Sequence, residues 1–197
     1  MVKKFLFVLL TIVSSISVGF LSSAASASTQ PTKIVDGIFD ISALDEAHQL
    51  LVEEVLACDD FDWSKLKSTL KRKTGRTAIK VRVADISKWG AVGLSWSTGL
   101  LEIDDQVLDP HWFQQVFMHE VGHMVDFYYL MPNKLHGPVS KIYGASWKTM
   151  GHDFNGGFTS AFSCVDGGDG NGYLDDTKVQ AIRTLLGGAG LVPAKTL

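Results

Sequence analysis

Glutamate is scarce in this chain and stops early. Only Glu46, Glu53, Glu54, Glu102 and Glu120 occur among 197 residues, so no later element can supply a glutamate to any site. Cysteine is scarcer still, and a single pair, Cys58 and Cys164, excludes a scaffold built on many disulfides. The two either form one bridge, as an exported pair commonly does, or stand as separately buried thiols. Basic residues have no excess: 18 Lys and Arg against 21 Asp and Glu give a net charge of −3. The sole basic cluster, Lys65, Lys67, Lys71, Arg72 and Lys73, has the spacing of a solvated helix face, and nucleic acid is not an expected partner. Beyond about Leu21 no apolar run is long enough to span a bilayer, and no internal repeat is present.

What is there begins with a leader. Lys3 and Lys4 precede an apolar run from Phe5 to about Leu21, followed by Ala25-Ser26-Ala27, a small-x-small cleavage site. Residues 1–27 read as a signal peptide, the alternative being an uncleaved anchor, which the interrupting serines disfavour. No cysteine follows the run to carry a lipid. Residues 28–197 fit one domain with a sizeable core, secreted, monomeric and without stable membrane association after cleavage.

Hydrophobic spacing then sets the order of elements. Ser42 to Ala57 predicts a helix with Leu44, Ala47, Leu51 and Val55 on one face, and Asp62 caps a shorter helix ending near Gly75. From Ala78 to Ala84 the period falls to two, the mark of a strand. Strands are predicted at Ala91 to Ser97 and Leu100 to Asp104, joined by Thr98-Gly99 as a hairpin. Helices, a small mixed sheet and more helices make an α+β domain.

The hairpin leads into Asp109-Pro110, a helix cap with proline at the first helical position, and then into His119-Glu120-Val121-Gly122-His123. On a helix, positions i and i+4 stand one turn apart on the same side, so His119 and His123 can aim two imidazoles at one ion with Glu120 beside them. Two zinc ligands and a carboxylate that takes a proton from water are the core of a zinc hydrolase. Six His and five Glu placed at random would produce this pattern in roughly half a percent of such chains. The plain alternative is a core helix with two hydrogen-bonded histidines. Asp126, seven residues after His119, returns to nearly the same face and is a candidate to accept from a ligand imidazole's second nitrogen.

The hairpin running into His-Glu-Val-Gly-His-Met-Val-Asp resembles the zincin metallopeptidases over about residues 77–165, and specifically the lethal-factor-type group that includes the small secreted Pro-Pro endopeptidases. The resemblance implies a zincin-like fold in which the strand at Ala91 to Ser97 is a substrate-holding edge. It also implies a third zinc ligand, and there the chain departs from the family. The group uses a Glu on a later helix, which this chain lacks, and Tyr129 stands where metzincins place a third His. His152-Asp153-Phe154 is similar to the group's acidic-acidic-Phe motif, with Asp153 at the ligand position and His152 as the neighbouring donor. Carboxylate oxygens bind zinc at about 2.0 to 2.2 Å. His136, another acid, or no third ligand are the alternatives. A Tyr preceding the third ligand donates to the oxyanion in the resembling enzymes, and Tyr143 holds the comparable place.

A second metal loop lies downstream. Asp166 to Asp175 resembles an EF-hand loop within a helix-loop-helix over 157–188, Asp169, Asn171, Gly172 and Leu174 matching its oxygen ligands, turn and apolar anchor. Lys178 stands where the bidentate Glu belongs and an extra Gly disturbs the spacing, so Ca2+ is expected to bind weakly if at all. The alternative is a glycine-rich turn.

These readings predict a secreted zinc (Zn2+) metalloendopeptidase acting on a peptide or protein, with His119, His123 and Asp153 or His152 on the metal, Glu120 as general base and Tyr143 as oxyanion donor. The rival is a catalytically degenerate, zincin-derived metal-binding or interaction module. Trp89, Trp96, Trp112 and Trp147 are candidates to shape a pocket, or equally to fill the core.

Overall fold

The Asp36-Gly37 pair reverses the chain at its start: both residues have positive φ, 50° and 67°, and Ile38 N–H donates to Val35 C=O at 3.1 Å. Such a turn matches the twist of two paired strands, here β1 (Ile34–Val35) and β2 (Phe39–Asp40). This is the first feature that periodicity did not reveal, because two-residue strands carry no period. The computed structural model describes residues 31–57, 61–143 and 176–188, apart from the side chains of His136, Ser140, Tyr143, Asp176, Val179 and Gly188.

Helix α1 (Glu46–Ala57) starts four residues later than the apolar spacing predicts. Asp45 takes the capping role, its carboxylate accepting from His48 N–H at 2.9 Å, while the Ser42 hydroxyl ties the preceding turn to Asp40 and Lys33. Helix α2 (Trp63–Thr74) forms as predicted, capped by Asp62 and ended by Gly75 in the left-handed conformation.

Three further strands complete a five-stranded mixed sheet: β3 (Ile79–Ala84), β4 (Gly93–Trp96) and β5 (Leu100–Asp104). Its order is β1-β2-β3-β5-β4; the inner pairs β2–β3 and β3–β5 are parallel, and β4 pairs antiparallel with β5 across the Thr98-Gly99 turn. The hairpin was legible, and the parallel pairings, being non-local, were not. Register puts Val81, Leu101 and Ser95 in one row, and Val83, Ile103 and Gly93 in the next. These residues share the face that receives the helices. Arg82, Glu102 and Leu94 form a row on the opposite face, where buried Glu102 accepts from Arg82 Nε at 2.8 Å and Trp96 Nε1 at 2.6 Å.

Helix α3 (Pro110–Val125) runs beneath this sheet, capped by Asp109, whose carboxylate accepts from Trp112 N–H at 2.8 Å. Phe113, Phe117, Val121, Met124 and Val125 bury it, and Phe117 packs edge-on against Phe39, which packs in turn against Trp63. Full burial of such a ring contributes about 2–3 kcal/mol, so this aromatic stack holds the helix firmly to the sheet. On the helix's far side Gln114 donates to the Leu51 carbonyl of α1 at 3.1 Å. A single π-helical turn, Asp126–Leu130, follows without a break, closed by Met131 N–H donating to Asp126 C=O at 3.0 Å. Its Tyr128 reaches back to the hairpin, donating to Ser97 C=O at 2.9 Å. Helices α4 (His136–Tyr143) and α5 (Asp176–Gly188) pack together, with Ile182 and Leu186 buried. Among the described residues no helix is long and apolar enough to cross a membrane. The α+β class read from the sequence is the observed one, but the order is not: the chain opens on the β1–β2 hairpin, ahead of the helices that were expected first.

Candidate metal centre

Helical spacing delivers what it promised. His119 and His123 face the same side of α3 with ring centroids 5.2 Å apart, and ligand atoms of His119, Glu120 and His123 all lie within 4.8 Å of one another. Both imidazoles are partly exposed, and Glu120 is buried. Phe127, on the π turn, stacks against the His123 ring at 6.4 Å and 22°, limiting its rotation.

The carboxyl group of Glu120 is the unusual member. Its Oε2 is buried with no hydrogen-bond partner. Burial pushes the carboxyl up to about 7, the nearby Ser95 hydroxyl offsetting only part of that. An orphaned buried carboxyl oxygen costs about 1–3 kcal/mol of stability.

Strand β4 closes the site from above. The Ser95 hydroxyl donates to the Glu120 carbonyl at 2.8 Å, tying strand to helix. Gly93, on the same strand face, sits closer still: a Cβ there would stand 2.6 Å from Glu120 Oε1 and 2.8 Å from Val116 Cγ1. Only glycine lets the strand pass at this height. The sequence reading overlooked Gly93, although a glycine inside a strand is itself a signal of close backbone approach. β4 is also the last strand of the sheet, so its outer edge is paired by no described strand.

Asp126 is buried at the junction of α3 and the π turn, and burial pushes its carboxyl up to about 7 while the Lys73 ammonium pulls it the other way. It thus stands one turn beyond His123. Tyr129 is buried, in keeping with a packing role. Tyr143 closes α4, and its side chain, with His152, Asp153, Trp147, the Asp166–Asp175 loop, Cys58, Cys164 and the leader 1–27, lies outside the described residues.

Comparison with protein-family models, curated proteins and solved structures returned no match. The His-Glu-His group is compatible with a metal ion on its own geometry. Two imidazoles converge, and a neighbouring buried carboxyl has an unused oxygen. That donor set, two imidazole nitrogens and a carboxyl oxygen, fits a divalent transition-metal ion.

Proposed function

We propose that this protein is a secreted zinc metalloendopeptidase with a zincin-like arrangement of sheet edge and metal helix. One observation carries the reading: a buried carboxyl with one unpartnered oxygen beside two imidazoles one turn apart, directly under a strand whose outer edge is paired by no described strand. His119 and His123 hold the metal, with Asp153 or His152 as the third ligand. When bound, zinc supplies Lewis-acid polarisation of the scissile carbonyl and of water. Glu120 takes the proton from the attacking water and passes it to the leaving amine, a role that its place beside the two imidazoles supports. The outer edge of β4, paired by no described strand, binds an extended peptide by main-chain hydrogen bonds and draws its carbonyl over Glu120. Tyr143 is the candidate donor to the developing oxyanion.

The leader with its Ala25-Ser26-Ala27 site supports export. The absence of glutamate after Glu120 supports a second reading, a degenerate module that binds metal or a partner without hydrolysis. Zinc-loaded protein assayed on a peptide mixture by mass spectrometry, beside Glu120→Gln, separates the two. Cleavage by the native chain and none by the variant supports the peptidase; zinc binding with no cleavage by either supports the module.

A further inference from the structure

Just before β4 begins, a cavity of about 230 Å³ is lined by apolar Ala91, Val92, Val107 and Trp112, the last near the start of α3, together with Ser87, Gly90, Asp104 and Gln106. Two of its polar groups already hold partners. Asp104 accepts from Ile86 N–H with one carboxyl oxygen and from Gln106 N–H with the other, each at 3.0 Å, and the Ser87 hydroxyl donates to Asp85 at 2.6 Å. Two of the apolar lining residues are well exposed: Trp112 at 41% and Val92 at 44%. Exposed apolar side chains gathered round a hollow mark a contact surface.

Two elements of the metal centre adjoin the cavity: α3 contributes Trp112 to it, and β4 starts directly after Val92. Val92 directly precedes Gly93, the residue that rests on Glu120, and Trp112 lies on α3 two turns before Glu120, about 12 Å along the axis. A peptide extended along β4 advances about 3.3 Å per residue, so the cavity meets a side chain about two to four residues from the scissile bond. Its volume is that of about eight waters, enough for one large side chain.

We infer that this cavity is a specificity subsite that takes a large aliphatic or aromatic side chain of the bound peptide, an inference that rests on the peptidase reading above. Trp112 forms its wall and sets the preference. Ala91, Val92, Val107 and Trp112 supply half of the lining residues, so selection is by apolar burial.

The test uses capped hexapeptides with phenylalanine or alanine scanned through each position. Binding to the zinc-loaded Glu120→Gln chain is read by fluorescence anisotropy, and cleavage by the zinc-loaded native chain by mass spectrometry. At one position phenylalanine should bind about tenfold more tightly than alanine. Trp112→Ala, which removes the wall, and Ala91→Phe, which fills the cavity, should each reduce that ratio to near one, and circular dichroism identifies any variant that fails to fold. Equal binding of both peptide sets, or a preference that survives both variants, overturns the subsite. A preference lost in the variants, with no cleavage by the native chain, keeps the subsite and refutes the peptidase. Cleavage without any positional preference does the reverse.

Discussion

Replacing Gly93 with alanine inserts one methyl group into the closest approach between the sheet and the metal helix. Its Cβ would lie 2.6 Å from Glu120 Oε1, 2.7 Å from Glu120 Cγ and 2.8 Å from Val116 Cγ1. Ordinary contact begins near 3.5 Å, so β4 must lift by roughly 1 Å or Glu120 must turn away. Overpacking of this kind costs about 1–3 kcal/mol. The functional loss is larger in proportion, because a catalytic group misplaced by about 1 Å loses about 100-fold in rate. Urea unfolding of Gly93→Ala, Glu120→Ala and the double variant forms a cycle that isolates the contact. Truncating Glu120 removes two of the three clashes, so Gly93→Ala should cost about 1 kcal/mol less in that background. Peptide hydrolysis by Gly93→Ala should fall about 100-fold with zinc still bound. A Gly93→Ala protein within about 0.5 kcal/mol of native stability and fully active would refute the claim that the strand presses on Glu120.

Further outcomes follow from the same contacts. In the metal-free protein the Glu120 carboxyl sits near 7 when folded against an ordinary value of 4.5, so the folded state binds the proton first and stability falls as pH rises through that window. Glu120→Gln should therefore stabilise the chelated protein by about 2–3 kcal/mol at pH 8 and by little at pH 4, read by urea unfolding at the two pH values. Arg82→Ala leaves the buried Glu102 carboxyl with Trp96 alone and should cost about 1–3 kcal/mol, measured by the same method. Ser95→Ala removes the strand's bond to the Glu120 carbonyl and should lower stability by about 1 kcal/mol.

Features confined to one element were readable from the sequence. His119 and His123 meet because a single helix fixes their spacing, and Asp109-Pro110, Asp62 and Gly75 mark helix ends through local capping chemistry. Thr98-Gly99 marked the hairpin in the same way, with Gly99 at φ 81°. What was missed depends on distant partners or on very short pieces. The Asp36-Gly37 turn was an available sign of the first hairpin, but strands of two residues gave it no flanking period. The parallel pairing of β2 with β3 and of β3 with β5 has no local signature. The π turn at Asp126–Leu130 arises where Tyr128 packs back against the hairpin, a contact that spans 31 positions. Glu120's burial beneath Gly93 is likewise a meeting of strand and helix, and the sequence shows it only as a lone glycine.

Peptide hydrolysis by the chelator-treated chain, followed as zinc is added back, tests the central claim most directly. Cleavage should be absent without metal, rise to a plateau near one zinc per chain, and be missing at every zinc concentration in His123→Ala. Cleavage that persists without metal, or none at saturating zinc in the native chain, would contradict it.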